Sequence, residues 1–569
     1  NENNKSFLWG WKCRSGKSYG VGGLLIKYYK KFNRCNALII TPAPTETISQ
    51  FVDDLFIKYR DFNDFNIIKV KNKKELLKLT DQIHSNNIII CSKQLLDNTK
   101  AHSIVDLNLD FIVFDENHFG GCSKLSKDTI TTYSSTSTIK LFLTATFHKP
   151  LLEWNIPLDC QFYWNIEDEQ ICKKRDIDKL IEKHSDQVLE FIDDDILKAY
   201  DNMPNLELLT TIMDSDRYDK IRKDIKDTKF GFSMETLFSL TKHNKFMFEK
   251  EVENVLSYIS GSFYGSVKDK KSIFERIKKI SIDRNSRTTL CNQNFTTQLW
   301  FLPIGQGLKI DKVSKCLKKS MLNDSVLKSY DIMIINSHKE YKLKDLKGEI
   351  GKKELKAKNN GKIGLILLAG NQCSLGITLP LCDVVILLNN TLSMDRILQM
   401  MYRCMSEGDG KKCGFVVDLN ISRILNTLTE YNINKKDLTV KSKLEYLIEN
   451  NLINIDSDLF MNKCKGCKQS EKLITKLLNI WNSDPLNNHK LLMKRLERQV
   501  IEVDDNFQNI MNKCFTKSKN IKLTIKMKLD ENNDQVMQSG KDITTNKKDE
   551  LEKKIIKISL TKDVLPFVI

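Results

Sequence analysis

Two clusters in this chain carry residue types that could do chemistry together. The first is Arg14-Ser15-Gly16-Lys17-Ser18, followed by Tyr19. A short apolar run, Phe7-Leu8-Trp9, precedes it and a helical stretch from Tyr19 to Phe32 follows. Strand, glycine turn and helix in that order build a phosphate loop: backbone N–H groups and the positive end of the helix face an anion. In such a loop Lys17 reaches terminal phosphate oxygens and the Ser18 hydroxyl ligates magnesium. The spacing G-x-x-x-x-G-K-[ST] asks for a glycine at position 11, where the chain has Trp11, with Gly10 one residue early. The second cluster is Asp115-Glu116-Asn117-His118, directly after the apolar run Phe111-Ile112-Val113-Phe114. An acid at the end of a buried parallel strand stands where open α/β sheets bind their ligands. Asp115 could hold the magnesium through water, and Glu116 could orient and deprotonate an attacking water. The plainer alternatives are a surface turn for Gly-Lys-Ser in a lysine-rich chain and an acidic loop that merely ends a strand.

The elements that must position these groups alternate between apolar strands and helical stretches. Residues 1–165 hold strand candidates at Ala37–Ile40, Ile67–Val70, Asn87–Cys91, Phe111–Phe114 and Leu141–Leu143, short and continuously apolar as in a parallel sheet covered on both faces. Gly22 and Gly23 inside the first helix suggest close packing against that sheet. Residues 166–294 read as a helical insertion or linker: Ile166 to Tyr200 is charged with a helical period, Pro204–Leu209 could close the first segment as a strand, and Ser233–Leu240 looks like a capped helix. A second α/β segment, 295–420, carries strands at Gln298–Pro303, Ile332–Asn336, Lys362–Leu368, Val384–Leu388 and Phe415–Val417, and a helix at Ile310–Met321.

Beyond it, 421–516 reads as a helical extension. Leu473, Ile474, Leu477, Leu478 and Trp481 form an apolar stripe, and Lys490, Lys494 and Arg498 fall on one helix face that is either solvated or touches phosphates. Cys464 and Cys467 form a lone C-x-x-C without the further ligands a zinc site needs. Residues 517–569 are a polar, lysine-rich linker ending in Val564-Leu565-Pro566-Phe567-Val568-Ile569, which reads as the start of a truncated domain. The absence of an initial methionine likewise suggests a fragment.

At 569 residues the chain has room for three or four domains, at about 150 residues each. Its 41% hydrophobic and 29% charged residues are ordinary for a globular protein, and no apolar run approaches the roughly 18 residues of a membrane span. A net charge of +17, from 90 Lys+Arg against 73 Asp+Glu, suits a polyanionic partner, although the heavy use of Lys, Asn and Ile is also what an AT-rich genome yields. The 15 cysteines are mostly single and in apolar contexts such as Cys91, Cys382 and Cys413, which reads as an intracellular, reducing compartment.

Further short motifs follow the two clusters in a fixed order. Ile39-Ile40-Thr41-Pro42 with Gln50, Ser92-Lys93-Gln94-Leu95-Leu96, and Leu143-Thr144-Ala145-Thr146 come first; Ala369-Gly370 with Cys373-Ser374-Leu375-Gly376-Ile377-Thr378-Leu379-Pro380, and Gln399-Met400-Met401-Tyr402-Arg403, come later. In this order the chain resembles superfamily-2 helicases and translocases of the DExH type over most of residues 5–420. The resemblance implies two RecA-like lobes, Mg-ATP hydrolysed in the cleft between them, and a nucleic-acid strand held by its backbone. It implies a coupling or nucleic-acid role for Thr41, Pro42, His118, Thr144 and Thr146. It also implies an arginine finger at Arg403, a γ-phosphate or water contact at Gln399, and a tight turn at Gly376 beside the nucleotide.

Departures stand beside the matches. Ser406 occupies the place of the second motif VI arginine, Tyr402 that of a glycine, and Thr378 that of an aspartate; Arg396, Lys411 or Lys412 could supply a replacement charge. The wording of Asn389-Asn390-Thr391 and of Gln399 to Glu407 is similar to helicases of nucleocytoplasmic large DNA viruses, the giant viruses. That likeness implies viral transcription or replication proteins as partners, in the host cytoplasm or virion, with no membrane. A duplex-DNA translocase of a restriction or transcription complex, and a non-hydrolysing scaffold, are the alternative functions.

Overall fold

The computed structural model describes residues 4–12, 15–41, 48, 51–79, 83–98, 102–115, 124–144, 156–184, 194–210, 234–262, 272–287, 294–303, 309–336, 345–370, 372–373, 377–389, 391, 394–420, 423–424, 439–443, 454–457, 475 and 478. Of the candidate site residues, Arg14, Pro42, Glu116, His118, Thr146 and Gly376 lie outside the described residues. So do the Cys464/Cys467 pair, the Lys490–Lys494–Arg498 face, residues 517–569 and all of the apolar stripe but Leu478. The chain divides into two compact units, Asn1–Met203 with Cys373–Leu379 and Leu398–Glu407, and Pro204–Gln372 with Pro380–Ile397 and Gly408–Ile569.

The first unit is built on β1 (Ser6–Trp11), β2 (Asn36–Thr41), β3 (Asn66–Val70), β4 (Asn87–Ser92), β5 (Phe111–Phe114), β6 (Ile139–Thr144) and β7 (Gln161–Trp164). They form one seven-stranded sheet in the order β3-β4-β2-β5-β6-β1-β7, with every neighbouring pair parallel. The continuous apolar runs have their cause here, since β2 and β5 are buried at every position and have no solvent face to make polar. One face is covered by α1 (Lys17–Phe32), whose Val21 and Leu25 pack with Ala37, Ile39, Val113 and Leu143 in a single cluster. Alternate residues of each strand reach that layer, as the pleat requires. Gly22 does sit in a close contact, but with Leu55 and Phe62 rather than the sheet; Gly23, expected to do the same, faces open space.

After α2 (Lys124–Tyr133) and β7, a strand too short to announce itself, come α3 (Ile166–Lys174) and α4 (Ile177–His184). The Asn165 side chain caps α3 and Asp168 returns a bond to the Asn165 N–H, a complete capping box. Ile171, Cys172, Leu180 and Leu197 share a small core beneath these helices.

The second unit holds β8 (Asn205–Thr210), β9 (Thr296–Phe301), β10 (Asp331–Ile335), β11 (Gly364–Ala369), β12 (Cys382–Leu387), β13 (Cys413–Asp418) and β14 (Asn454–Ser457). They form a second all-parallel sheet in the order β10-β11-β9-β12-β13-β8-β14. The molecule is thus α/β, with two RecA-like parallel-sheet lobes.

One expectation changes. The strand at 205–210 does not close the first sheet; it lies inside the second, between β13 and β14. Its residues Leu206 to Thr210 are all buried, which an outermost strand with one side open would not achieve. Residues 166–203 count with the first unit and 204–294 with the second. The apolar faces of α5 (Glu249–Ser260) and α6 (Ile273–Asp283) explain the second assignment. Val252, Val255, Ile259, Ile273 and Ile277 join Trp300, Ile366, Val384 and Phe415 in the core of the second unit. Met234, Leu237 and Phe238 are buried in that core, and Met234–Leu237 is helical. On the same sheet lie α7 (Ile310–Asn323) and α8 (Leu346–Asn359), and α9 (Met394–Met401) precedes Arg403.

A buried charge network ties the N-terminal end of β12 to the loops around it. Asp383 receives Arg287 Nη2 at 3.1 Å and lies 3.7 Å from Lys411 Nζ, which also donates to the Cys382 carbonyl at 2.7 Å. Burial pushes the Asp383 carboxyl up and the two cations only partly offset it. Lys411, expected as a replacement charge for motif VI, is consumed by this network. Asp383→Leu leaves two cations buried without their counter-charge, so the denaturant midpoint should fall by the equivalent of about 3–5 kcal/mol; a loss under 1 kcal/mol would show the network to be dispensable.

Candidate nucleotide site

The candidate phosphate loop joins a strand to a helix in the order that its sequence suggests. β1 ends at Trp11, Gly16 sits at φ +81°, in the left-handed region that favours glycine, and α1 starts at Lys17. Gly16 offers no side-chain cap and the first turn of α1 contains no acid, so the helix N-terminus presents its amides and positive end to the loop. The Lys17 ammonium folds back over the loop and donates to the Trp11 carbonyl at 3.2 Å and the Lys12 carbonyl at 3.4 Å. Ser15 Oγ donates to the same Lys12 carbonyl at 2.8 Å. Ser18 is half-buried beside it and Tyr19 is exposed. A donor set of amides and one ammonium suits an anion.

Trp11, in place of the first glycine, is accommodated by two features. Its ring stacks flat on Trp9, with centroids 4.8 Å apart and planes 6° apart, and meets Phe162 edge-on at 5.7 Å. Helix α1 supplies the space through Gly20, where a Cβ would stand 2.9 Å from the Trp11 ring. The glycine missing from the loop is in effect moved to the facing helix. Gly20→Ala should therefore displace Trp11 and the loop with it, costing about 1–3 kcal/mol of stability and weakening phosphate binding more than a surface Gly→Ala; unchanged unfolding and nucleotide affinity would refute this.

Strand register brings the other candidates to the same edge. Gly10 pairs with Thr144, Phe114 with Phe142 and Ile40 with Phe114, and the Asp115 N–H donates to the Ile40 carbonyl at 2.9 Å. Thr41, Asp115, Thr144 and the start of the loop thus stand in one row at the C-terminal ends of four adjacent strands, spanning about 15 Å at 4.8 Å per strand. Thr41, Asp115 and Thr144 are all buried.

The motif V and VI segments Cys373–Leu379 and Leu398–Glu407 count with this same unit. Arg403 is buried; its Nε donates to the Gln399 carbonyl at 3.0 Å and its Nη1 to the Ile377 carbonyl at 2.6 Å. Gln399 is buried too, and Ser406, in the place of a second arginine, is buried with no partner for its Oγ among the described residues. Arg396 and Lys412 are exposed.

Sequence reasoning passed over Lys12 and Glu169. The Lys12 ammonium lies 2.8 Å from Glu169 Oε1, both side chains only 4% exposed, and 5.1 Å from the centre of the Tyr402 ring. No pattern in a lysine-rich chain distinguishes a buried lysine from its solvated neighbours. Burial pushes the Glu169 carboxyl up, and Lys12 pulls it back only in part.

Asp168, beside it, goes the other way. Burial alone would raise it, but the bonds from His184 Nε2 and Lys183 Nζ, each 2.7 Å, together with the Asn165 N–H, bring it below its ordinary value of 3.8. A depressed carboxylate contributes stability that is full above the unfolded value and is lost as pH falls through the folded one. Asp168→Asn should therefore unfold more easily at neutral pH and show a shallower loss of stability below about pH 3.8 than the parent. Parallel acid limbs in urea titrations would contradict this.

Residues 2–149 match the family described as type III restriction enzyme, res subunit. No curated protein sequence matches the chain. Among solved structures, the chain is similar to the ATP-dependent type ISP restriction-modification enzyme LlaBIII bound to DNA, at 11% identity and TM-score 0.47, covering 99% of this chain and 40% of that one. It is also similar to a fragment of an HsdR subunit of a type I restriction enzyme from Vibrio vulnificus, at 13% identity and TM-score 0.39, covering 74% of this chain and 60% of that one. A third likeness is to S. cerevisiae Dbp5 bound to RNA and ADP BeF3, at 10% identity and TM-score 0.37, covering 83% and 89%. The chain thus spans less than two thirds of the two restriction enzymes.

Proposed function

We propose that the protein is an ATP-dependent helicase or translocase of superfamily 2, which hydrolyses Mg-ATP to move along or unwind DNA or RNA. The observation that supports the reading is the row at the C-terminal edge of the first sheet, where a loop turned at Gly16 follows β1, and Asp115, Thr144 and Thr41 stand within one residue of level on adjacent parallel strands. The family match over residues 2–149 supports it, as does the order of the later motifs.

In this reading the N-terminal amides of α1 and the Lys17 ammonium bind the phosphates, Lys17 exchanging its carbonyl partners for phosphate oxygens. Ser18 and Asp115 hold magnesium, which supplies charge neutralisation when bound. Glu116 orients the water and accepts its proton. Arg403 and Gln399 contribute charge and a hydrogen bond to the γ-phosphate, with Gly376 leaving room for the backbone, and Arg14, Ser15 and Tyr19 line the loop. Thr41, Pro42, His118, Thr144 and Thr146 transmit nucleotide state to the nucleic-acid path. Contacts made mainly to the backbone would render binding salt-sensitive and largely indifferent to sequence.

A viral setting, with transcription or replication proteins as partners in the host cytoplasm or virion, rests on the wording at 389–391 and 399–407 and on the Lys/Asn/Ile bias. A reducing intracellular compartment rests on the cysteine contexts; burial pushes the Cys35 and Cys91 thiols up to about 12, which keeps them unreactive. Among the described residues no helix is long and apolar enough to cross a membrane.

Hydrolysis is expected to be stimulated by at least one of single-stranded DNA, duplex DNA or RNA, and to fall by at least 100-fold in Lys17→Ala and in Glu116→Gln. Intact hydrolysis in Lys17→Ala would remove the site assignment. The match to a restriction-enzyme subunit favours a second reading, translocation on duplex DNA without strand separation. Triplex displacement without strand displacement would select it.

A further inference from the structure

We propose that Lys12 and Glu169 form a positioning device for the phosphate loop: the buried ion pair fixes the Lys12 peptide, and through it Ser15 and Lys17, while the same ammonium anchors Tyr402 next to Arg403. The inference rests on reading the loop as the ATP site.

Lys12 is the most heavily engaged described residue of the loop. Its N–H donates to the Trp164 carbonyl at 2.8 Å, which ties the loop to β7. Its carbonyl accepts from Ser15 N at 3.3 Å, Ser15 Oγ at 2.8 Å and Lys17 Nζ at 3.4 Å. Its ammonium meets Glu169 at 2.8 Å and the Tyr402 ring at 5.1 Å. Glu169 stands on α3, which is held rigid by its capping box and by the bonds from Lys183 and His184 to Asp168.

Such a pair is an inefficient source of stability, because desolvating both charges cancels most of the attraction and apolar residues of equal volume would serve as well. What apolar residues would not supply is direction. An ammonium drawn to one carboxylate oxygen and one ring face is held in place, and the Lys12 carbonyl, which together with the Trp11 carbonyl keeps Lys17 poised until phosphate oxygens replace them, moves with it. Tyr402, where the resembling family has glycine, gives the ammonium a ring to sit under. Two other buried networks among the described residues, Arg287–Asp383–Lys411 and Arg423–Asp418, bind backbone carbonyls of the second unit.

The test uses the full chain, with ATP hydrolysis and fluorescent ATP-analogue binding measured beside the unfolding midpoint. Lys12→Met/Glu169→Met leaves no charge unpaired, so its midpoint should stay near that of the parent. Its KM for ATP should nevertheless rise and its kcat fall, each by about tenfold, as expected when a reacting group is held an ångström out of place. Lys12→Arg, which keeps the cation, should recover most of both.

A double variant that folds with the parent's KM and kcat overturns the proposal and leaves the pair merely structural. Where the double variant does not fold, Glu169→Asp decides: it keeps the charge but shortens the reach, and unchanged KM and kcat with an unchanged midpoint would overturn the proposal equally. A parent chain that neither binds nor hydrolyses ATP instead defeats the reading of the site, and the proposal with it. A parent that hydrolyses ATP beside an unaltered double variant defeats the proposal alone.

Discussion

A parallel strand can be followed by another in the same sheet only through a crossover, and this constraint governs the whole molecule. Both sheets pair exclusively in parallel among the described residues, so every strand ends on the same edge as its neighbours. Residues immediately after strands therefore gather at one edge however far apart they lie in sequence. Gly10, Thr41, Asp115 and Thr144 become neighbours for this reason, across 134 positions of chain from the first to the last. The crossovers need covering helices, and the covering helices remove both sheet faces from water. Continuously apolar strands, edge-gathered polar residues and a helix N-terminus at the same edge are three consequences of one topology.

Within that frame the loop is held by a small number of polar interactions around one peptide. The Lys12 carbonyl collects Ser15 and Lys17, its N–H reaches the edge strand β7, and its side chain reaches α3 and Tyr402. Aromatic stacking does the complementary apolar work, with Trp9 and Trp11 forming a flat pair against which α1 can pack only because residue 20 is a glycine. A loop lacking its first glycine is thus compatible with a phosphate-binding geometry, the space being supplied from the helix.

The strands of both lobes were legible because each is a short apolar run bounded by polar or turn residues, and most of their ranges agree with the structure to within one or two residues. β7 and β14 were not, since four residues at the margin of a sheet carry little periodic signal. β8 was legible as a strand but not as a member of the second sheet, because a run of apolar residues does not name its partners. The segment 166–294 was legible as helical, from the period over Ile166–Tyr200 and the cap at Ser233–Leu240, but α5 and α6 were not singled out, and which core their faces join is a property of the packed molecule.

Of the candidate site, the residues whose chemistry is local were determined by the sequence itself. Gly16 turns the chain from β1 into α1, and an acid after Phe111–Phe114 must stand at a strand end. Lys12, Glu169, Tyr402 and Gly20 were decided only by the tertiary structure. Nothing marks a lysine as buried, a glutamate as its partner or a glycine as the space for a tryptophan until strands and helices distant in sequence are brought against one another. Pair interactions and excluded volume depend on that distance in space, which composition and periodicity do not encode.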